Sequence, residues 1–358
     1  MTKLNYLNIT LFSFLLFGMI QCNGDENDKN NIPKKVIPVK ILSPSNETQY
    51  NIGDLVALDI QVNDPSKISD MSLFIDDTLF MSISDIKSQT VHIPTENGRV
   101  GFVNLYLAYT DVDGKPHRDN RSLVFFSNEV PNQLFANIVN TYPHNKSSYT
   151  QGLEFYNGHL YESTGQVGES LITEVDLTTG IHHRFKNLDA PHFGEGITIL
   201  NDTIYQLTWQ SNICFLYDME FNKIGEFNYD GEGWGLCNNG TSIIMTNGNS
   251  ELIWRNPRTF EVEKKIYAFD HQNSIVNLNE VELINGKLYV NVYTENKIIE
   301  VDTTTGKVIS NIDCNSLALE GEVNGANVLN GIAYDEITGK TYMTGKLWPK
   351  LFEVKFED

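Results

Sequence analysis

Positive charge is scarce in this 358-residue chain: 26 Lys and Arg stand against 46 Asp and Glu, a net charge of −20. Such a surface lacks the basic footprint that a phosphate backbone requires, which excludes nucleic acid as a partner. Cysteine is scarce too, at four residues. Beyond Cys22 the remaining three, Cys214, Cys237 and Cys314, show neither metal-ligand spacing nor an even count. They read as buried free thiols, with one incidental disulfide as the alternative. Long apolar runs are missing as well. The one sizeable run, LFSFLLFGMI at 11–20, is too short to span a bilayer.

That run follows a weakly charged start at Lys3 and leads to Gln21 and Cys22, the pattern of an export signal. Cys22 sits where a bacterial lipoprotein carries its lipid, although Gln21 departs from the usual small residue before that cysteine. Residues 1–22 are therefore expected to be a lipoprotein signal, and 23–38 a polar tether ending near Pro38. Ordinary secretion, with Cys22 removed or incidental, is the alternative. The expected location is a bacterial cell envelope, with the membrane engaged only through the anchor, and the expected state is a monomer.

What the chain does have is 16 Tyr, 19 Phe and 26 Gly, a composition of short strands joined by tight turns. From 39 to 128 the runs VKILSP, LVALDIQV, MSLFIDDTLF, VGFVNLYLAYT and RSLVFFS alternate with turn signals. About seven strands in roughly 90 residues predict a small immunoglobulin-like sandwich. It has no clustered His or acid set, so it reads as a spacer or binding module.

Beyond Pro131 five related segments begin QGLEF at 151, EGITIL at 195, EGWGLC at 232, NEVELI at 279 and NGIAYD at 330. Each meets a turn signal and a second strand, and the starts are 44, 37, 47 and 51 residues apart. Repeats of that length carrying three or four strands predict a five-bladed β-propeller over 132–358. LFANIVNTY at 134–142 has no repeat of its own. It is placed as the outer strand of the last blade, beside LFEVKF at 351–356, closing the ring.

The first residues of the five inner strands are Gln151, Glu195, Glu232, Asn279 and Asn330, all polar and all expected at one mouth of the channel. The stretch HFGEGITILNDTIYQLTW at 192–209 predicts a hairpin that returns Trp209 beside Glu195. Tyr293 follows Asn279 by the same interval, and Lys346 follows Asn330 after a longer turn. Trp234 and Tyr149 lie near Glu232 and Gln151. Core packing explains any one of these aromatics, and a shared pocket explains the set. A carboxylate against such walls can have its pKa raised and serve as a general acid/base.

The strings YTQGLEF, ESTGQVGES, FGEGIT, LTW, EGWGL, LNEVEL, VLNGIAYD and TGKLWPKLFEV, in that order, closely resemble the plant and bacterial glutamine cyclotransferases, five-bladed propeller enzymes. The resemblance covers about 134–358 and leaves the sandwich outside it. It implies that N-terminal glutaminyl residues of peptides or proteins become pyroglutamate with loss of ammonia, without metal or other cofactor. On the matching motifs it implies Glu195 as proton relay, Lys346 as a charged donor, and Tyr149, Gln151, Trp209, Trp234, Asn279 and Tyr293 around the substrate. Tyr149 and Tyr293 depart from the family's usual Phe and Trp, which puts rate and preference in question. Two readings of another class stand beside this one: a non-catalytic binding propeller, and a metal-dependent propeller lactonase or hydrolase.

Overall fold

The computed structural model describes residues 37–323 and 325–358; the expected export signal, Cys22 and the expected tether through residue 36 lie outside the described residues. Residues 38–358 form one compact, nearly all-β unit. Its first part has two sheets. Val39–Ser43, Val56–Val62 and Gln89–Ile93 make one, and Gln49–Asn51, Ile68–Ile75, Thr78–Ser82, Gly101–Asp111 and Pro116–Phe126 make the other. Alternation selects the core: Val56, Leu58, Ile60 and Val62 point in, while Ala57 points out. Asp76 and Asp77 take positive φ of 45° and 64°, as a two-residue hairpin turn requires. Gln49–Asn51 and Gln89–Ile93 were not picked out in the sequence; they are short and mostly polar.

This β domain packs directly against the propeller. Phe269, from the propeller, is buried within its core, and Phe102 meets Phe269 and Tyr267 edge-on at 5.8 and 5.2 Å. Backbone hydrogen bonds from Val100 to Thr305 and from Ser127 to Asp270, each 2.9 Å, cross the same junction.

The propeller has five blades of four strands. In blade one these are Thr150–Tyr156, His159–Thr164, Leu171–Val175 and His182–Asn187; in blade two, Gly194–Leu200, Thr203–Thr208, Ile213–Tyr217 and Lys223–Asn228. Blade three runs Leu236–Asn238, Ile243–Thr246, Glu251–Arg255 and Val262–Tyr267, and blade four Leu278–Ile284, Lys287–Val292, Lys297–Asp302 and Val308–Asp313. Blade five takes Leu329–Asp335, Lys340–Gly345 and Lys350–Glu357 from the end of the chain and Asn132–Pro143 from its start. The expected closure is present. The closing strand also pairs parallel with Val308–Asp313, which merges the last two blades into one eight-stranded sheet. Wholly buried Leu288, Val290, Ile299 and Val301 pack between blades, and each such side chain contributes roughly 1.5–3 kcal/mol.

The inner strands set up the site. Asn201 and Asp202, at φ 52° and 57°, form the two-residue turn that fixes the register of the Glu195 hairpin. At the channel mouth the inner-strand registers slip, leaving Gln151, Glu195, Asn279 and Asn330 in bulges. A bulge re-aims its side chains relative to the ladder. Glycine beside the bulge lets neighbouring inner strands touch: a Cβ on Gly196 would lie 2.6 Å from the Leu236 amide nitrogen.

Candidate active site

Ten side chains enclose one cavity of about 200 Å³: Tyr149, Gln151, Gln166, Phe193, Glu195, Trp209, Trp234, Asn279, Tyr293 and Lys346. All eight residues singled out for catalysis and binding are among them. A repeated backbone bond brings them together. Gly165 donates to Tyr149 O, Trp209 to Phe193 O, Tyr293 to Asn277 O and Lys346 to Val328 O, at 2.8 to 3.0 Å. The return end of each hairpin therefore sits beside the residue two before its bulge. That repeat also delivers Phe193, which stands two before Glu195 as Tyr149 stands two before Gln151. The signal was in the sequence and was missed.

Blade three departs from the expected register. Glu232 does not open its inner strand, which begins at Leu236. Trp234-Gly235 instead occupies the position of Glu195-Gly196, since Gly196 donates to Trp234 O and Gly235 abuts Asn279. Two glycines, Gly231 and Gly233, put Glu232 in a loop, displaced by two residues. There its carboxylate accepts the indole N–H of Trp209 at 2.7 Å and of Trp234 at 3.0 Å.

Glu195 is 4% exposed, and among the described residues no protein group hydrogen-bonds its carboxylate. Burial raises its pKa well above 4.5; the Lys346 ammonium opposes this, Glu232 adds to it, and burial prevails. Lys346, 2% exposed, is pushed down to about 8 by burial, against the pull of Glu195. The two make no direct ion pair. Lys346 Nζ instead donates to Gln151 Oε1 and lies 4.7 Å from the Tyr149 ring centre and 5.5 Å from that of Tyr293.

That contact revises the expected role of Gln151. Its oxygen is taken up by Lys346 and by Asn330 Nδ2, the latter at 3.3 Å, so only its NH₂ remains for a ligand. Among the described residues the buried Oδ1 of Asn279 finds no partner, leaving an acceptor ready for an N–H donor. The aromatics form two walls, Tyr149–Phe193–Trp209 with neighbouring rings 6.2 and 5.8 Å apart, and Trp234–Tyr293 at 5.6 Å.

Two buried acid groups escaped the sequence reading. Behind Gln151, Glu162 accepts from Thr150 Oγ1 (2.7 Å), Ser148 Oγ (3.1 Å) and His144 Nε2 (3.2 Å). Burial alone would raise this carboxyl; the His144 imidazolium and hydrogen bonds from His144, His182 and Thr150 outweigh it and hold the pKa low. His144 Nδ1 in turn donates to Trp348 O at 2.7 Å, tying the Lys346 turn to the Gln151 strand. Along the inner strands lie Glu154 and Glu280, buried, with Glu282 beside them. Burial pushes Glu154 to about 8 and the other two well up. Glu280 accepts backbone N–H from Leu153 at 3.2 Å and Ile332 at 2.8 Å, linking blade four to blades one and five.

A propeller mouth that gathers a buried carboxyl and a buried amine inside an aromatic pocket is the arrangement of an enzyme site for a small polar group. The chain belongs to the glutamine cyclotransferase family, whose sequence model matches residues 113–356. It is 34% identical over 226 residues to the glutaminyl-peptide cyclotransferase of Arabidopsis thaliana, covering 62% of this chain and 71% of that protein. The glutaminyl cyclase of Myxococcus xanthus is similar in structure, with TM-score 0.60 and 33% identity over 63% of this chain and 98% of that one.

Proposed function

We infer that the protein is a glutaminyl-peptide cyclotransferase that turns an N-terminal glutaminyl residue into pyroglutamate and ammonia. The observation that carries the inference is Glu195: a buried, unpartnered carboxyl with raised pKa, sharing its pocket with Lys346. In this reaction the α-amine nitrogen attacks the side-chain carboxamide carbon of the same residue. Nucleophile and electrophile are already tethered, so the site need only fold the side chain back and manage protons.

Glu195 takes the proton from the attacking amine. As the tetrahedral intermediate collapses, it delivers that proton to the amide nitrogen, so that ammonia leaves and not an amide anion. A relay of this kind contributes about 10²–10⁴-fold. Its raised pKa makes the carboxylate a stronger base toward the attacking amine. Lys346 Nζ donates to the carboxamide oxygen as charge develops there. Gln151 holds the ammonium in place, Asn279 Oδ1 accepts an N–H of the substrate, and the aromatic walls enclose its methylenes.

The β domain is read as an immunoglobulin-like accessory spanning 39–128, and the protein as a monomeric, lipid-anchored envelope protein. The support for export and anchoring is the sequence of residues 11–22 alone; incorporation of a fatty-acid probe that is lost in Cys22→Ala tests it. For the activity, a coupled ammonia assay on a Gln-initiated peptide, run with and without EDTA, should show equal ammonia release in both. An inert peptide would overturn the reading, and chelator-sensitive release would overturn the metal-independent mechanism.

A further inference from the structure

We propose that Glu232 is a positioning residue that sets both tryptophan walls of the pocket through their indole nitrogens and maintains a fixed negative charge near Glu195. One carboxylate oxygen, Oε2, accepts Trp209 Nε1 from blade two at 2.7 Å and Trp234 Nε1 from blade three at 3.0 Å. The other, Oε1, accepts Gln210 Nε2 at 3.3 Å. Glu232 does not line the cavity; it acts through two residues that do.

Packing alone does not fix the Trp209 ring: it is 37% exposed, and an exposed indole retains rotamer freedom unless a bond removes it. The loop is built to present the acid. Gly231 has φ +83°, and Gly233 lies against the Tyr229 hydroxyl so closely that no side chain fits. Tyr229 is itself anchored to Thr208 O, next to Trp209 in sequence. The neighbouring blades are thereby joined at the substrate mouth.

The charge has a separate effect. The ionisable groups acting on or around Glu195 are Lys346, Glu232, Tyr149 and Tyr229, with Tyr293 across the pocket. Of these, Lys346 favours ionised Glu195 and Glu232 disfavours it. Removing the negative charge of Glu232 therefore lets Glu195 ionise at lower pH.

Two variants separate position from charge. In Glu232→Gln the amide oxygen can still receive both indoles, while its NH₂ donates to Gln210 Oε1 once that exposed amide flips. In Glu232→Ala neither bond survives. The kinetic part rests on the cyclotransferase reading, so an activity-independent readout accompanies it: the indole N–H signals of selectively ¹⁵N-labelled tryptophan. Glu232→Ala should shift the Trp209 and Trp234 signals and raise KM for a Gln-initiated peptide about tenfold or more, the scale of one lost charge-assisted hydrogen bond. Glu232→Gln should restore both signals and bring KM back to within about threefold, while moving the acid limb of the kcat/KM profile to lower pH. Unshifted indole signals in Glu232→Ala overturn the positioning role, whether or not the wild type turns over. Shifted signals with unchanged KM confine Glu232 to structure and overturn the role in catalysis. An acid limb unmoved in Glu232→Gln overturns the role of its charge.

Discussion

Lys346→Met should stabilise the protein while disabling it. Burial lowers the lysine from 10.5 to about 8, so below that pH the folded state holds an ammonium the unfolded chain would hold more easily. The depression corresponds to about 3 kcal/mol. Methionine fills similar space without the charge, but gives up the charge-assisted bond to Gln151 and the contacts with Tyr149 and Tyr293, about 2 kcal/mol together. Roughly 1 kcal/mol of stabilisation remains. With an unfolding entropy of about 2.1 cal/mol/K per residue, Tm rises by about 1.5 °C. The sign with pH follows from the depressed pKa. Wild type carries the full penalty below about 8 and sheds it as pH climbs toward 10.5, so the advantage of the variant should be complete at pH 7 and fade by pH 10. Thermal melts at both pH values measure this, and the ammonia assay should show a loss of about 10²–10³ in kcat. A variant less stable than wild type at pH 7, or an advantage that does not change with pH, would refute the claim that Lys346 is a buried charge held at the expense of stability.

Two other substitutions probe the supports of the site. Phe269→Ala empties a propeller side chain from the core of the β domain and should cost about 3–5 kcal/mol; calorimetry should show the β domain melting before the propeller, where wild type melts in one transition. Glu162→Gln leaves His144 buried beside a neutral partner and should cost about 3–5 kcal/mol. Glu162 is depressed from 4.5 and His144 raised from 6.5. The carboxylate therefore stabilises above 4.5 and loses its effect as pH falls, while the imidazolium stabilises fully below 6.5 and loses its effect as pH rises through its folded pKa. Denaturant melts across pH should find the deficit largest between those two values; a deficit independent of pH would mean the pair is not ionic.

The propeller was legible because the blades repeat parts of one pattern, complete in blades two and four: a polar bulge residue, an apolar strand, a two-residue turn and a returning aromatic. Spacing alone placed Trp209 and Tyr293 at the mouth with Glu195 and Asn279. Glu232 was misplaced because its segment has the wording of a repeat, whereas Gly231 and Gly233 divert the backbone and hand the position to Trp234. Gln166 gave no periodic signal: it lies in a rim loop with φ +91°, set by local backbone geometry. The Glu162–His144 pair is joined by packing between the first and last blades, a relation that chain order hides. Partial occupation of the acceptor on Gln151 was hidden for the same reason, since Lys346 lies 195 residues away in sequence. The junction at Phe269 has no pattern at all, because a lone aromatic in a loop reads the same whether it covers its own blade or a neighbouring domain.

The central claim is that Glu195 moves the proton, and turnover of Glu195→Gln on a Gln-initiated peptide tests it most directly. The side chains are nearly isosteric, and the buried carboxyl has no protein partner to lose, so Tm should not fall. Ammonia release and pyroglutamate formation should drop together by about 10²–10⁴ in kcat. A folded Glu195→Gln protein that cyclises the peptide at close to the wild-type rate would contradict the account.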